Sequence, residues 1–142
     1  MNVPDGFVPL SRTSPAMALV GQLYIRDTGG ERVLGMRAGE RHCNARGAVH
    51  GGSLAILADV ALGYATAFAS DPPLPLVTAN LSLDFAGGAS AGDWLEVRVD
   101  LHKRGARLAF ANGFISVADR RIVRASAVFL ATTAEPSRGE TK

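Results

Sequence analysis

The sequence predicts an α+β fold in which a curled antiparallel sheet wraps around one long central helix. Three observations carry this. Residues 51–70 form a run of helix length, rich in Ala and Leu, with Asp59 as its one charged side chain. Beyond the prolines at positions 72, 73 and 75 the hydrophobic period changes to two, the spacing of half-buried strands. Two shorter β-compatible segments precede the run. Because the run is apolar nearly all round, it is expected to be buried on most sides. One sheet covers a helix in that way only by curling.

The elements follow in order. Residues 1–15 hold Pro4, Pro9 and Pro15 with little periodicity and read as an N-terminal arm. Residues 19–26 and 32–38 are expected as strands, joined at the turn Thr28-Gly29-Gly30-Glu31. A polar, glycine-punctuated loop then leads into the helix, which the prolines end. In residues 76–85, Val77, Ala79, Leu81, Leu83 and Phe85 make one face, and Thr78, Asn80, Ser82 and Asp84 make the other. Residues 93–102 alternate again, 107–117 are apolar on both faces, and 122–132 return after the turn at Asp119-Arg120-Arg121. These four strands are expected to form a meander. The folded domain is expected over residues 16–133, with a polar tail over 134–142.

Composition narrows the function classes. A length of 142 residues suits one domain with a sizeable core. A net charge of +2 is too mild to argue for nucleic-acid binding, although the sequence pI of about 9.1 suits an anionic small ligand. Cys43 is the only cysteine, which excludes an internal disulfide and fits a reducing cytoplasm. The first residues lack the basic and apolar regions of a secretory signal. The central run is barely long enough to cross a bilayer and carries Asp59 near its middle, so no membrane span is expected. His42 and His50 lack metal-ligand spacing, so no metal is expected. Cys43 has no dedicated base beside it and reads as a small packing residue rather than a nucleophile.

The loop and helix carry the pattern N-x-x-G-x-x-H-G-G-x-x-x-x-x-x-D, formed by Asn44, Gly47, His50, Gly51, Gly52 and Asp59. With the order of strands, this resembles the hotdog-fold thioesterases, specifically the phenylacetate-pathway and acyl-CoA thioesterase branch of the 4-hydroxybenzoyl-CoA thioesterase superfamily. The resemblance covers about residues 15–132. It implies hydrolysis of an acyl-CoA to a carboxylic acid and free coenzyme A, without a cofactor. A non-catalytic acyl-CoA-binding protein and a hydratase or dehydratase of the same fold are the alternatives.

Thioester hydrolysis needs a donor for the developing oxyanion and a group that activates water or attacks directly. Gly51 and Gly52 open the helix, where backbone N–H groups are unpaired and the dipole favours negative charge. Asp59 supplies the carboxylate, either as nucleophile or as general base. Eight residues of helix separate Gly51 from Asp59 by about 12 Å, too far for one thioester carbon. Two antiparallel copies related by a two-fold axis bring Gly51 of one near Asp59 of the other, which predicts a homodimer with two shared sites. The resemblance agrees, and it also permits a dimer-of-dimers tetramer. It further implies that Asn44 orients the water or the carboxylate, that His50 braces the loop and the thioester end, and that Thr78 contacts the water or Asp59. The positive end of a helix disfavours a cationic ring, so His50 is expected to act as a neutral hydrogen-bonding group. Gly52 is expected to lie against the substrate. Arg104 and Arg107, with Arg120, Arg121 and Arg124, are candidates for gripping the coenzyme phosphates, and are equally explained as a solvated surface. Tyr64, Phe68 and Leu54 either line the acyl pocket or belong to the core.

Overall fold

A short strand, a short helix and a hairpin precede the central helix. In the computed structural model, which describes residues 2–132, these are β1 (Val8–Pro9), α1 (Pro15–Val20), β2 (Tyr24–Asp27) and β3 (Arg32–Arg37). A turn of 3₁₀ helix (Glu40–His42) leads to α2 (Gly51–Ala67). Four strands follow: β4 (Leu76–Phe85), β5 (Trp94–Arg104), β6 (Leu108–Val117) and β7 (Arg120–Ala131). All seven form one antiparallel sheet in the order β1-β2-β3-β5-β6-β7-β4. The expected polar tail lies outside the described residues. The arm contributes β1 to the sheet edge, where Val8 lies opposite Ile25.

Two expectations about this topology are corrected. The segment expected as a strand over 19–26 begins instead inside α1. Ser14 caps that helix, its Oγ accepting from Met17 N at 3.3 Å, and Pro15 occupies the first turn, where its missing N–H costs nothing. Gly21, with φ of +109°, ends it, and β2 starts only at Tyr24. The strands after α2 are also not a simple meander. β5, β6 and β7 run as one, but β4 crosses to the far edge and pairs with β7 alone, while β5 inserts between β3 and β6. Period-two hydrophobicity identifies strands without naming their neighbours.

α2 lies across the inner face of this sheet. Leu54, Leu57, Ala58, Ala61 and Leu62 are buried against Leu34, Leu95, Val97, Ile115, Val123 and Phe129. Each fully buried leucine stabilises the fold by about 1.5–3 kcal/mol. The opposite side of α2 is open, contrary to the expectation of burial on most sides: Ile56 is 43% exposed, and Asp59, Val60 and Gly63 are only half-buried. The β2–β3 turn is closed by Asp27, whose carboxyl is held below its ordinary range by the Gly29 N–H and then by Arg32.

Candidate active site

The loop before α2 is built by its own side chains. Asn44 Oδ1 accepts from Arg46 N at 2.9 Å and from Ala48 N at 3.2 Å, and Gly47, with φ of +80°, lets the turn close. A bridge between Cys43 and Val49 ties the ends of the turn. Buried His42 fixes the loop from below. Its Nδ1 accepts from Gly39 N at 2.9 Å, and its backbone carbonyl accepts from His50 N at 2.7 Å and from Ser53 Oγ at 3.2 Å. The entry to α2 is thereby held at two points, His50 and Ser53.

His50 is the N-cap of α2. Its Nδ1 accepts from Gly52 N at 3.4 Å, a long bond that takes one of the free donors of the first turn. The Gly51 N–H donates to no group among the described residues. Phe85 stands over it: a Cβ at Gly51 would lie 3.3 Å from Phe85 Cζ. An unpaired N–H at a helix N-terminus is chemically suited to an anionic or partly anionic oxygen.

Midway along α2, on its open face, Thr78 Oγ1 donates to Asp59 Oδ1 at 2.7 Å. The alternation over 76–85 predicts Thr78 on the face opposite Leu81 and Leu83. A β-bulge corrects this: the pairing of β4 with β7 shifts between Thr78 and Asn80, so Ala79 is accommodated as an extra residue. Thr78 therefore lies opposite Phe129, as Leu81 lies opposite Ala127 and Leu83 opposite Ala125. These three partners are all buried on the inner face. The bulge turns a threonine that belongs to the outer face by period toward the helix.

Asp59 and Thr78 open onto a cavity of about 680 Å³, also lined by Arg12, Tyr64, Phe68 and Leu74. Tyr64 and Phe68 thus face the cavity, whereas Leu54 belongs to the core. Arg12 is the one charged side chain besides Asp59 in the lining and, like most of the lining, is not marked by the sequence, since nothing local singles out an arginine of an irregular arm as part of a site. Asn44, His50, Gly51 and Gly52 do not line this cavity. One chain brings Asp59 to Thr78 but leaves the Gly51 end of the helix about 12 Å away.

The arginines divide into two groups. Arg104 and Arg107 flank the β5–β6 turn, while Arg120, Arg121 and Arg124 lie at or near the β6–β7 turn. The ten residues of β6 put the two turns about 33 Å apart. Arg124 pairs with Asp84 at 2.9 Å, Arg120 donates to Gly88 O at 3.1 Å, and the Arg121 guanidinium lies 3.8 Å from the Phe114 ring centroid. Arg104 and Arg107 make no ion pair among the described residues. No group of three His, Cys, Asp or Glu side chains suited to a metal is found among those residues, and no helix among them is long and apolar enough to cross a membrane.

These features define a class. Residues 46–123 match the family described as the Thioesterase superfamily, more than half of the chain, and the protein belongs to that family. It is 49% identical over 130 residues to a Pseudomonas aeruginosa protein named "Putative esterase PA0474", covering 91% of this chain and 97% of that one. Its fold is similar to that of the PaaI protein from the phenylacetic acid degradation operon of E. coli, with TM-score 0.75, 21% identity, and coverage of 85% of this chain and 86% of that one. It is also similar to a hypothetical thioesterase from Streptococcus pneumoniae solved with coenzyme A, with TM-score 0.72, 19% identity, and coverage of 82% and 93%. The architecture is the hotdog fold of the thioesterases, as the sequence predicts.

Proposed function

We propose that the protein is an acyl-CoA thioesterase whose two active sites are each assembled from both subunits of a homodimer. The observation that carries this is the separation along α2: a carboxylate with its threonine partner faces a cavity, and an unpaired Gly51 N–H stands about 12 Å away on the same helix. Two features support the second copy. β4 is a ten-residue edge strand with one side unpaired among the described residues, and Val77, Phe85 and Ile56 are 48%, 54% and 43% exposed around it. Such an edge and such apolar groups are suited to cover by a partner. The same arrangement accommodates a dimer of dimers. The free thiol of Cys43 suits a reducing cytoplasm.

In this account the thioester carbonyl sits between Asp59 and Gly51 of the partner subunit. Thr78 occupies Oδ1 of Asp59 and fixes the carboxylate, which leaves Oδ2 to accept a proton from water. The water oxygen bonds to the carbonyl carbon as its proton passes to Asp59, and the carbonyl oxygen becomes an oxyanion that the Gly51 N–H stabilises. The tetrahedral intermediate collapses, the C–S bond breaks, and the leaving thiolate takes the proton from Asp59. Asn44 orients the water, His50 and Gly52 shape the helix N-terminus, and Arg104 and Arg107 hold the coenzyme phosphates.

Release of free thiol from a panel of straight-chain, aryl and dicarboxylic acyl-CoAs tests this function. Catalytic turnover of at least one thioester is expected. Binding of acyl-CoA without release of thiol would favour a non-catalytic binding protein, and hydration of an enoyl-CoA with the thioester intact would favour a hydratase.

A further inference from the structure

The cavity beside Asp59 extends along α2 toward Phe68, nine residues further on and therefore about 13 Å away. Its far end is polar as well as aromatic. Tyr64 stacks on Phe68 with ring centroids 4.3 Å apart, and the Arg12 guanidinium lies 5.6 Å from the Phe68 centroid. Phe68 is thus already covered by a ring and a cation. Arg12 is exposed at the mouth of this end and, like most arginines among the described residues, makes no ion pair there. The Tyr64 hydroxyl forms no hydrogen bond to another described residue and is not a buried orphan, so it is open to the cavity and to solvent. The end of the cavity away from the reacting centre therefore offers hydrogen-bond donors and one positive charge.

We infer that the preferred acyl group carries a second carboxylate at its far end, which Arg12 and Tyr64 bind. The inference rests on the thioesterase proposal and adds the substrate class. A guanidinium matches a carboxylate in charge and in planar donor geometry, and a phenol adds a further donor. The placement also solves a charge problem. A second carboxylate near Asp59 would repel it, but that repulsion weakens with distance along the cavity, and the Arg12 guanidinium offsets it at the far end. Arg12 is accordingly a specificity residue supplied by the N-terminal arm.

The test compares suberoyl-CoA with octanoyl-CoA, which have the same chain length and differ in the terminal carboxylate. The wild type is expected to favour suberoyl-CoA by about tenfold or more in kcat/KM, the size of one hydrogen bond to a charged group. Arg12→Gln should remove most of that preference, raising KM for suberoyl-CoA by about tenfold more than KM for octanoyl-CoA. Tyr64→Phe should have the same direction and a smaller effect. Equal or better turnover of octanoyl-CoA by the wild type would overturn the inference, as would a parallel loss for both thioesters in Arg12→Gln. If neither thioester is hydrolysed, the thioesterase proposal fails separately, and calorimetric dissociation constants decide the inference instead. Tighter suberoyl-CoA, by about tenfold, supports it, and equal affinities overturn it.

Discussion

Thr78 and Asp59 meet across the cleft between β4 and α2, with Oγ1 donating to Oδ1 at 2.7 Å. The bond fixes one carboxylate oxygen and leaves the other for chemistry. Thr78→Ala is expected to lower kcat by about tenfold to a hundredfold, the worth of a hydrogen bond to a charged group. Thr78→Ser keeps the hydroxyl and should retain most of the activity. Steady-state kinetics on both variants check this. A Thr78→Ala enzyme at the wild-type rate would remove Thr78 from the mechanism.

The candidate catalytic residues of the loop and helix are legible in the sequence, although one chain brings only Asp59 of them, with Thr78, to the cavity. The N-x-x-G-x-x-H-G-G run and the lone carboxylate of the helix locate Asn44, His50, Gly51 and Asp59, because glycines and a charge stand out against an apolar helix. Thr78 is legible by resemblance, but its face is not. Strict alternation assigns it to the outer surface, and only the bulge at Ala79 turns it inward. A bulge is a property of two paired strands, so one strand's periodicity does not reveal it. The position of β4 at the far edge is hidden for the same reason. α1, by contrast, carries a local signal in Ser14 and Pro15, which the apolar character of residues 19–26 obscures.

The shared site predicts complementation between two inactive chains. Asn44→Ala and Asp59→Asn are each expected to be nearly inactive as homodimers. A purified heterodimer of the two places both defects in one site and leaves the other intact, so about half of the wild-type activity should return. Activity that stays absent, with heterodimers demonstrated by native mass spectrometry, would mean that each site draws both residues from one chain.

The grip on coenzyme A predicts a salt dependence. Arg104 and Arg107 flank one turn and make no ion pair among the described residues, whereas Arg124 is engaged by Asp84. KM for acyl-CoA should rise severalfold between low and high salt, with kcat little changed, because exposed charge pairing is screened. Arg104→Ala and Arg107→Ala should raise KM and flatten that dependence. The same changes at Arg120 and Arg121, about 33 Å away along β6, should do neither. A KM insensitive to salt and to both substitutions would place the coenzyme elsewhere.

The most direct measurement is kcat and melting temperature for Asp59→Asn on one preparation. The side chain is half-buried and already bonded to Thr78, and an amide oxygen can accept the same bond, so the melting temperature should stay within a few degrees of wild type. The charge and basicity are lost. A positioned general base is worth about 10²–10⁴ in rate, or about 3–5.5 kcal/mol of barrier. A fall in kcat of at least a hundredfold, with acyl-CoA binding and the melting temperature preserved, is the predicted result. Turnover near the wild-type rate by the folded variant would contradict the account.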